Sequence, residues 1–144
     1  MSRTDLERAK QLLEADDPSG VLCCGEDIIT WSDRGLITLL RLHSLRSFSG
    51  YAAADRVVGK AAAFIYQAIG VTELYASLIS EPGLSTLVTA GVHPHYGVCV
   101  PSILNRSRDD LCPMEMIALS TDDPEVAIDG IRASATQRGP NTRR

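Results

Sequence analysis

Two apolar segments in the middle of the chain each lead directly into a helix. Tyr51 to Ala54 is short and apolar, and the helix after it is predicted to start near Asp55. Val71 to Ile79 is the strongest strand candidate, and Ser80-Glu81-Pro82 opens the next helix. Strands that alternate with helices in this way pair in parallel within one sheet. This alternation constrains the fold more than any other feature of the sequence.

The flanking segments complete an α/β arrangement. A capping box of Thr4 and Glu7 starts an N-terminal helix, and two short runs, Val21 to Cys24 and Ile28 to Trp31, predict a hairpin. An amphipathic helix is predicted over Gly35 to Arg46, and a late strand over Val92 to Ile103. Two last helices are predicted to start at Cys112-Pro113 and at Asp123-Pro124. The element order predicts a mixed sheet with helices on both faces.

Length and composition fit one soluble globular domain. The chain has 144 residues, of which 44% are hydrophobic and only 5% aromatic, so the core should consist mainly of Leu, Ile, Val and Ala. We expect a single domain over residues 1–137 and a flexible basic tail over 138–144. The net charge of -4 argues against non-specific binding to nucleic acid.

The sequence also favours a cytoplasmic location. No stretch approaches the ~20 apolar residues of a membrane span, and the charged N-terminus has no apolar signal region. The four cysteines include no C-x-x-C pair, so their spacing supports neither a zinc ribbon nor a thioredoxin-like pair. We expect them to be reduced thiols.

Asp55 and Lys60 are the first candidates for a ligand site. Gly59-Lys60 resembles part of a phosphate-binding loop, but Ala54 and Ala61 stand where that loop needs Gly and Ser or Thr. Asp55 and Lys60 are nevertheless expected at the carboxyl edge of the sheet, where open α/β sheets bind ligands. Lys60 could bind an anion or transfer a proton, or it could simply be a lysine paired with an acid.

Ser80 and Glu81 should lie on the same edge, at the next strand-to-helix junction. A structural role is sufficient to explain both residues. Ser80 can cap the helix, and the acidic Glu81 is favoured near the positive end of the helix dipole. Their expected position beside Asp55 and Lys60 makes Ser80 a candidate ligand contact and Glu81 a candidate catalytic group.

Cys112 has the sharpest local setting, because Pro113 fits the first position of a helix and makes Cys112 its N-cap. The helix dipole favours the thiolate form of a cysteine at this position, which suggests a catalytic cysteine. The negative charge of Glu115 opposes thiolate formation, and a free cysteine often serves only as a small buried hydrophobic residue. Asn105 and Glu115 are candidate ligand contacts. His93 and His95 form a weak metal motif, and a surface pair is the simpler reading.

The segments Asp55–Ala63, Ile79–Pro82, Asn105-Arg106 and Cys112–Glu115, in this order, resemble an uncharacterised prokaryotic family of domains of unknown function, DUF1893. The resemblance covers about half the chain, from Asp55 to Leu119. It implies a cytidine-deaminase-like fold, which is an α/β/α sandwich with a five-stranded mixed sheet. Relatives of this fold often self-associate, so it also implies a homodimer or a larger assembly.

Deaminases of that fold hold zinc through H-x-E or C-x-E at one helix start and P-C-x-x-C at the next. In this chain the two cysteines of the second motif would fall at Gly83 and Thr86, and the preceding helix offers neither His nor Cys. We therefore expect no metal or other cofactor and no zinc-dependent deamination. Three functions remain open. The first is an enzyme of unknown reaction that uses Lys60 or Cys112, the second is a non-catalytic module for a nucleotide-like or anionic small molecule, and the third is a structural or interaction subunit.

Overall fold

A five-stranded mixed sheet forms the centre of the computed structural model, which describes residues 4–32, 36–103 and 113–137. The elements in chain order are α1 (Asp5–Asp16), β1 (Gly20–Cys24), β2 (Asp27–Trp31), α2 (Ile37–Leu45), β3 (Ala52–Val58), α3 (Lys60–Ile69), β4 (Glu73–Ser80), α4 (Glu81–Thr89), β5 (His93–Val100), α5 (Pro113–Leu119) and α6 (Pro124–Gln137). The predicted α/β class with a mixed sheet of about five strands is confirmed.

The strand order is β2-β1-β3-β4-β5. β1 is antiparallel to both β2 and β3, whereas β3, β4 and β5 are parallel to one another. The β1–β2 hairpin turns at Gly25, which has a φ of 59° and so adopts the left-handed conformation that glycine tolerates best. The carboxyl ends of the three parallel strands therefore lie along one edge, where α3 and α4 begin.

Helix α3 is the centre of the main hydrophobic core. Its residues Ala61 to Tyr66 are all buried, and the helix contacts α2, α4, α5 and α6 as well as β3. A helix that is apolar on nearly every side is stable only when other elements surround it in this way. Gly70 ends the helix with a φ of 97°, and its N–H contacts the carbonyls of Tyr66 and Gln67.

A second, smaller core cluster lies beneath α1. Ala9 and Leu13 pack there with Val21, Cys23 and Ala54. The neighbouring Ala53 belongs to the main core instead. Because successive residues of a strand point to opposite faces, the two clusters lie on opposite faces of the sheet.

The end of β3 differs from the prediction. The strand was expected to end at Ala54 and the helix to start near Asp55, but β3 continues to Val58 and α3 begins at Lys60. The expected boundary was wrong because Asp55 was taken as a helix start. In the folded chain the carboxylate of Asp55 has a hydrogen-bond partner, so it can lie within a buried strand.

Several other local predictions are confirmed. Thr4 and Glu7 form the predicted capping box of α1, and α5 and α6 begin at Pro113 and Pro124. His93 and His95 are exposed on β5, as a surface pair should be. In the described part of the chain, no helix has the length and apolar character needed to cross a membrane.

Candidate functional site

A groove of about 620 Å³ runs along the contact between α3 and α4 and is closed at one side by the α5–α6 connection. α3 and α4 each begin directly after a parallel strand, so one end of the groove lies at the carboxyl edge of the sheet. The described lining residues are Lys60, Phe64, Gln67, Pro82, Ser85, Thr86, Thr89, Ala90, Asp122 and Pro124. The volume is within the range of small-molecule sites.

Lys60 is the single cationic side chain among the described residues that line the groove. Its side chain is only 11% exposed, and its Nζ lies 3.0 Å from Oδ1 of Asp122 and 5.4 Å from the centre of the Phe64 ring. Asp122, in contrast, is 100% exposed. The groove therefore presents a sheltered ammonium whose carboxylate partner stands in solvent.

The turn between β3 and α3 is completed by Glu115 of α5. This buried carboxylate accepts hydrogen bonds from the backbone N–H of Lys60, at 2.8 Å, and of Ala61, at 2.7 Å. A Cβ at Gly59 would collide with the Glu115 carboxyl group, so a larger residue there would have to displace that group. The N-terminus of α3, which in other proteins can hold a phosphate, is thus occupied by the chain's own carboxylate.

Ser80 completes the neighbouring turn. Its buried Oγ accepts a 3.0 Å hydrogen bond from the N–H of Gly83, which confirms the predicted cap of α4. A Cβ on Gly83 would lie 2.9 Å from the carbonyl carbon of Gly59, so the two helix starts are packed directly against each other. Glu81, next in the chain, is exposed.

Asp55 lies in a different environment, within the buried part of β3. Its Oδ2 accepts a 2.6 Å hydrogen bond from the hydroxyl of Tyr66, and its Oδ1 accepts one from the N–H of Val57. Burial raises the pKa of Asp55 to about 7, although these hydrogen bonds oppose the shift. Burial, with the nearby Asp55, also raises the pKa of Tyr66 well above its ordinary value.

The structure places the predicted site residues as follows. Lys60 and Glu115 meet at the start of α3, and Ser80 lies at the adjoining start of α4. Lys60 lines the groove, while Glu115 and Ser80 are engaged as helix caps and Asp55 is bonded to Tyr66. Asn105 and Cys112 lie outside the described residues.

The sequence reasoning missed most of the groove lining. Ser85, Thr86 and Thr89 recur at the three- and four-residue spacing of one helix face, and this polar stripe on α4 is a signal that could have been used. Gln67 and Asp122 had no such signal. Asp122 lies on the connection between α5 and α6, and its contact with Lys60 links positions 62 residues apart.

The residues expected to replace the deaminase zinc ligands do not fit a metal. Gly83 has no side chain and no room for one, and Thr86 lines the groove with a hydroxyl. Within the described residues no group of three or more His, Cys, Asp or Glu is placed to hold a metal ion.

The open, mixed five-stranded sheet defines an α/β protein, and the groove lies beside its parallel strands. The chain belongs to the DUF1893 family, a domain of unknown function whose model matches residues 8–134. It is similar to a solved structure, a DUF1893 family protein from Thermotoga maritima, with 28% sequence identity, a TM-score of 0.84 and coverage of 93% of this chain and 92% of that chain. No curated protein matches it. The resemblance to DUF1893 in the sequence is thereby confirmed.

Proposed function

We propose that this DUF1893 protein is a small-molecule binding module that holds an anionic group of its ligand on Lys60. The observation that carries this proposal is the groove between α3 and α4, where a lysine ammonium with 11% exposure faces a cavity of about 620 Å³. Polar side chains of α3 and α4 line the remaining length. A few placed polar groups in a concave site are the usual means by which proteins orient a small ligand.

The arrangement of Lys60 favours binding over catalysis. Its Nζ lies 3.0 Å from Oδ1 of Asp122, and in such an ion pair a lysine acts as a point charge that can hold an anionic group. Ser80 and Glu115 are both occupied by backbone N–H groups. An enzyme that uses Lys60, Cys112 or Glu81 remains the alternative to this binding module.

The fold that we propose for the module is the zinc-free version of the cytidine-deaminase-like α/β/α sandwich. Its support is the five-stranded mixed sheet with antiparallel β1 and parallel β3, β4 and β5, in which two helices start side by side at the carboxyl edge. The chemistry that defines those deaminases needs three N or S ligands, and Gly83 and Thr86 cannot supply two of them.

We further propose a cytoplasmic, prokaryotic protein that forms a homodimer. Support for the homodimer comes from β5, an edge strand whose Tyr96 and Val98 are 44% and 55% exposed. The free backbone groups of an edge strand pair readily with another chain. Light scattering on the purified protein tests this part separately.

The binding proposal is tested with protein in which only lysine is ¹³C-labelled. Lys10 is the other lysine of the chain, and it lies over the Tyr75 ring, away from the groove, so its signal is an internal control. A library of small carboxylates and phosphate esters is added, and the Cε signals are recorded. We expect at least one compound to shift the Lys60 signal and not that of Lys10, and to raise the melting temperature of the wild type but not of Lys60→Met. If no compound moves the Lys60 signal, the proposal is wrong.

A further inference from the structure

We infer that the ligand of the groove is a zwitterion with the head group of an α-amino acid, whose carboxylate binds Lys60 and whose ammonium binds Asp122. This inference deepens the proposed function and rests on it, because it names the class of molecule that the α3–α4 groove takes. The two side chains already lie together at one end of the groove, with Nζ of Lys60 3.0 Å from Oδ1 of Asp122.

The two charged side chains among the described residues that line the groove have opposite signs. Lys60 contributes one positive charge and Asp122 one negative charge, and both line the cavity. A ligand with a single negative charge would have to displace Asp122 from Lys60 and leave its carboxylate beside a second anion. A zwitterion lets both side chains keep an opposite charge, since its carboxylate can take the place of Asp122 on Lys60 while its ammonium contacts Asp122.

The surrounding charges favour the same class of ligand. Asp123 follows Asp122 directly, Glu125 is in the first turn of α6, and Glu81 precedes the lining residue Pro82; all three are exposed. These three exposed carboxylates add negative charge around Asp122, which disfavours a simple anion more than a molecule without net charge.

The exposure of the two partners explains how the exchange takes place. Asp122 lies on the connection between α5 and α6 and is 100% exposed, so separating it from Lys60 requires no rearrangement of the core. Water surrounds the Asp122 carboxylate and competes with Lys60 for it. Lys60, with 11% exposure, remains in place and keeps its charge directed at the groove.

The rest of the groove indicates an uncharged polar body for the ligand. Gln67 offers an amide, and Ser85, Thr86 and Thr89 offer hydroxyls, while Phe64 and Ala90 provide apolar contact. Hydroxyls and amides both donate and accept hydrogen bonds, so they suit a side chain that ends in an amide or a hydroxyl. Such a compound, of the type of L-glutamine, is the probe that we select.

The test compares L-glutamine with two analogues that each lack one charge: 4-carbamoylbutanoate, without the ammonium, and 4-aminobutanamide, without the carboxylate. Affinities are measured by NMR titration of the ¹³C-lysine-labelled full chain. We expect L-glutamine to bind about tenfold or more tightly than either analogue, since each loses one charge-assisted hydrogen bond. Asp122→Asn should weaken the binding of L-glutamine by a similar factor. Asp123→Asn, which removes the neighbouring charge, should leave the affinity for L-glutamine unchanged.

The direction in which Asp122→Asn changes the affinity distinguishes a zwitterionic ligand from a simple anion. For a zwitterionic ligand the substitution weakens binding, whereas for a simple anion it removes a competitor and strengthens binding. If 4-carbamoylbutanoate binds as well as L-glutamine, or binds more tightly to Asp122→Asn, the inference is overturned and the groove is an anion site as first proposed. If none of the three compounds nor any of the library compounds shifts the Lys60 signal, both the inference and the proposed function fail.

Discussion

The carboxyl group of Glu115 fills the space that a side chain on Gly59 would need. Gly59→Ala should therefore destabilise the protein by about 1–3 kcal/mol, which is the usual cost of forcing an extra carbon into a packed site. In a Glu115→Ala background the same substitution should cost much less, because its obstacle is gone. Urea unfolding of the four variants of this cycle measures the difference. An equal cost of Gly59→Ala in both backgrounds would contradict the assignment.

Removal of the Glu115 carboxylate should expose two unsatisfied donors at the start of α3. Glu115→Ala leaves the N–H groups of Lys60 and Ala61 without their acceptor, and we expect a loss of roughly 2–4 kcal/mol. Glu115→Gln retains one amide oxygen as an acceptor, so we expect a smaller loss of stability than in Glu115→Ala. Hydrogen exchange of the two amides should accelerate in Glu115→Ala more than at helix positions away from this turn, such as those of α1. Unchanged exchange at Lys60 and Ala61 would show that another group caps the helix.

Asp55 should make stability depend on pH. Burial raises its pKa to about 7, whereas in the unfolded chain a carboxyl of this type titrates near its ordinary value of 3.8. Between these values the folded state binds a proton that the unfolded state has released, so the stabilisation is complete below about pH 4 and is lost as pH rises through 7. The contribution is on the order of 4 kcal/mol.

The matched variant for this prediction is Asp55→Asn, which keeps an acceptor for Tyr66 but does not titrate. Unfolding free energies should be measured for both proteins from pH 5 to pH 8. We expect the wild type to lose stability relative to Asp55→Asn as pH rises across this range. If the stability of the two proteins changes with pH in parallel, Asp55 has the same pKa in the folded and the unfolded state.

Gly20 should be sensitive to enlargement because the Trp31 ring lies against it. A Cβ at Gly20 would overlap the indole, so Gly20→Ala must displace the ring or shift β2 away from β1. We expect a loss of about 1–3 kcal/mol. Trp31 is the single tryptophan and is 8% exposed, so its fluorescence should shift to longer wavelength in the variant. Gly25→Ala, at a site with open space but positive φ, is the control for backbone strain alone.

Introducing cysteines at positions 83 and 86, where the deaminase motif would have them, should not create a zinc site. Gly83→Cys places a Cβ 2.9 Å from the Gly59 backbone, so we expect it to destabilise the protein by about 1–3 kcal/mol, alone or with Thr86→Cys. Thr86→Cys alone lines the open groove and should be tolerated. Metal analysis and thermal melting with added Zn²⁺ check this. Stoichiometric zinc in the double variant, or in the wild type, would refute the prediction.

Local signals in the sequence predicted the local structure well. The caps at Thr4 and Ser80 and the helix starts at Pro113 and Pro124 depend on residues within one helical turn, and each is present as expected. The sheet class followed from the alternation of strands and helices. These features need no knowledge of distant contacts.

The features that were missed depend on distant partners. Asp55 was taken for a helix start because a carboxylate inside a buried strand has no local explanation, and its partner Tyr66 is on another element. Glu115 was predicted as a candidate ligand contact, but in the folded chain it caps α3. No periodicity in the sequence pairs Lys60 with Asp122, so this contact could be seen only in the folded chain.

The cap that Glu115 supplies to α3 has a consequence for the order of folding. The two hydrogen bonds join residues separated by 55 and 54 positions, so the first turn of the central helix is synthesised long before its acceptor. Closing so long a loop costs entropy that local helix contacts do not. A chain that has emerged only as far as β5 therefore has all five strands but lacks the group that completes α3. The last two helices should accordingly be needed to bring the first part of the chain to its final stability.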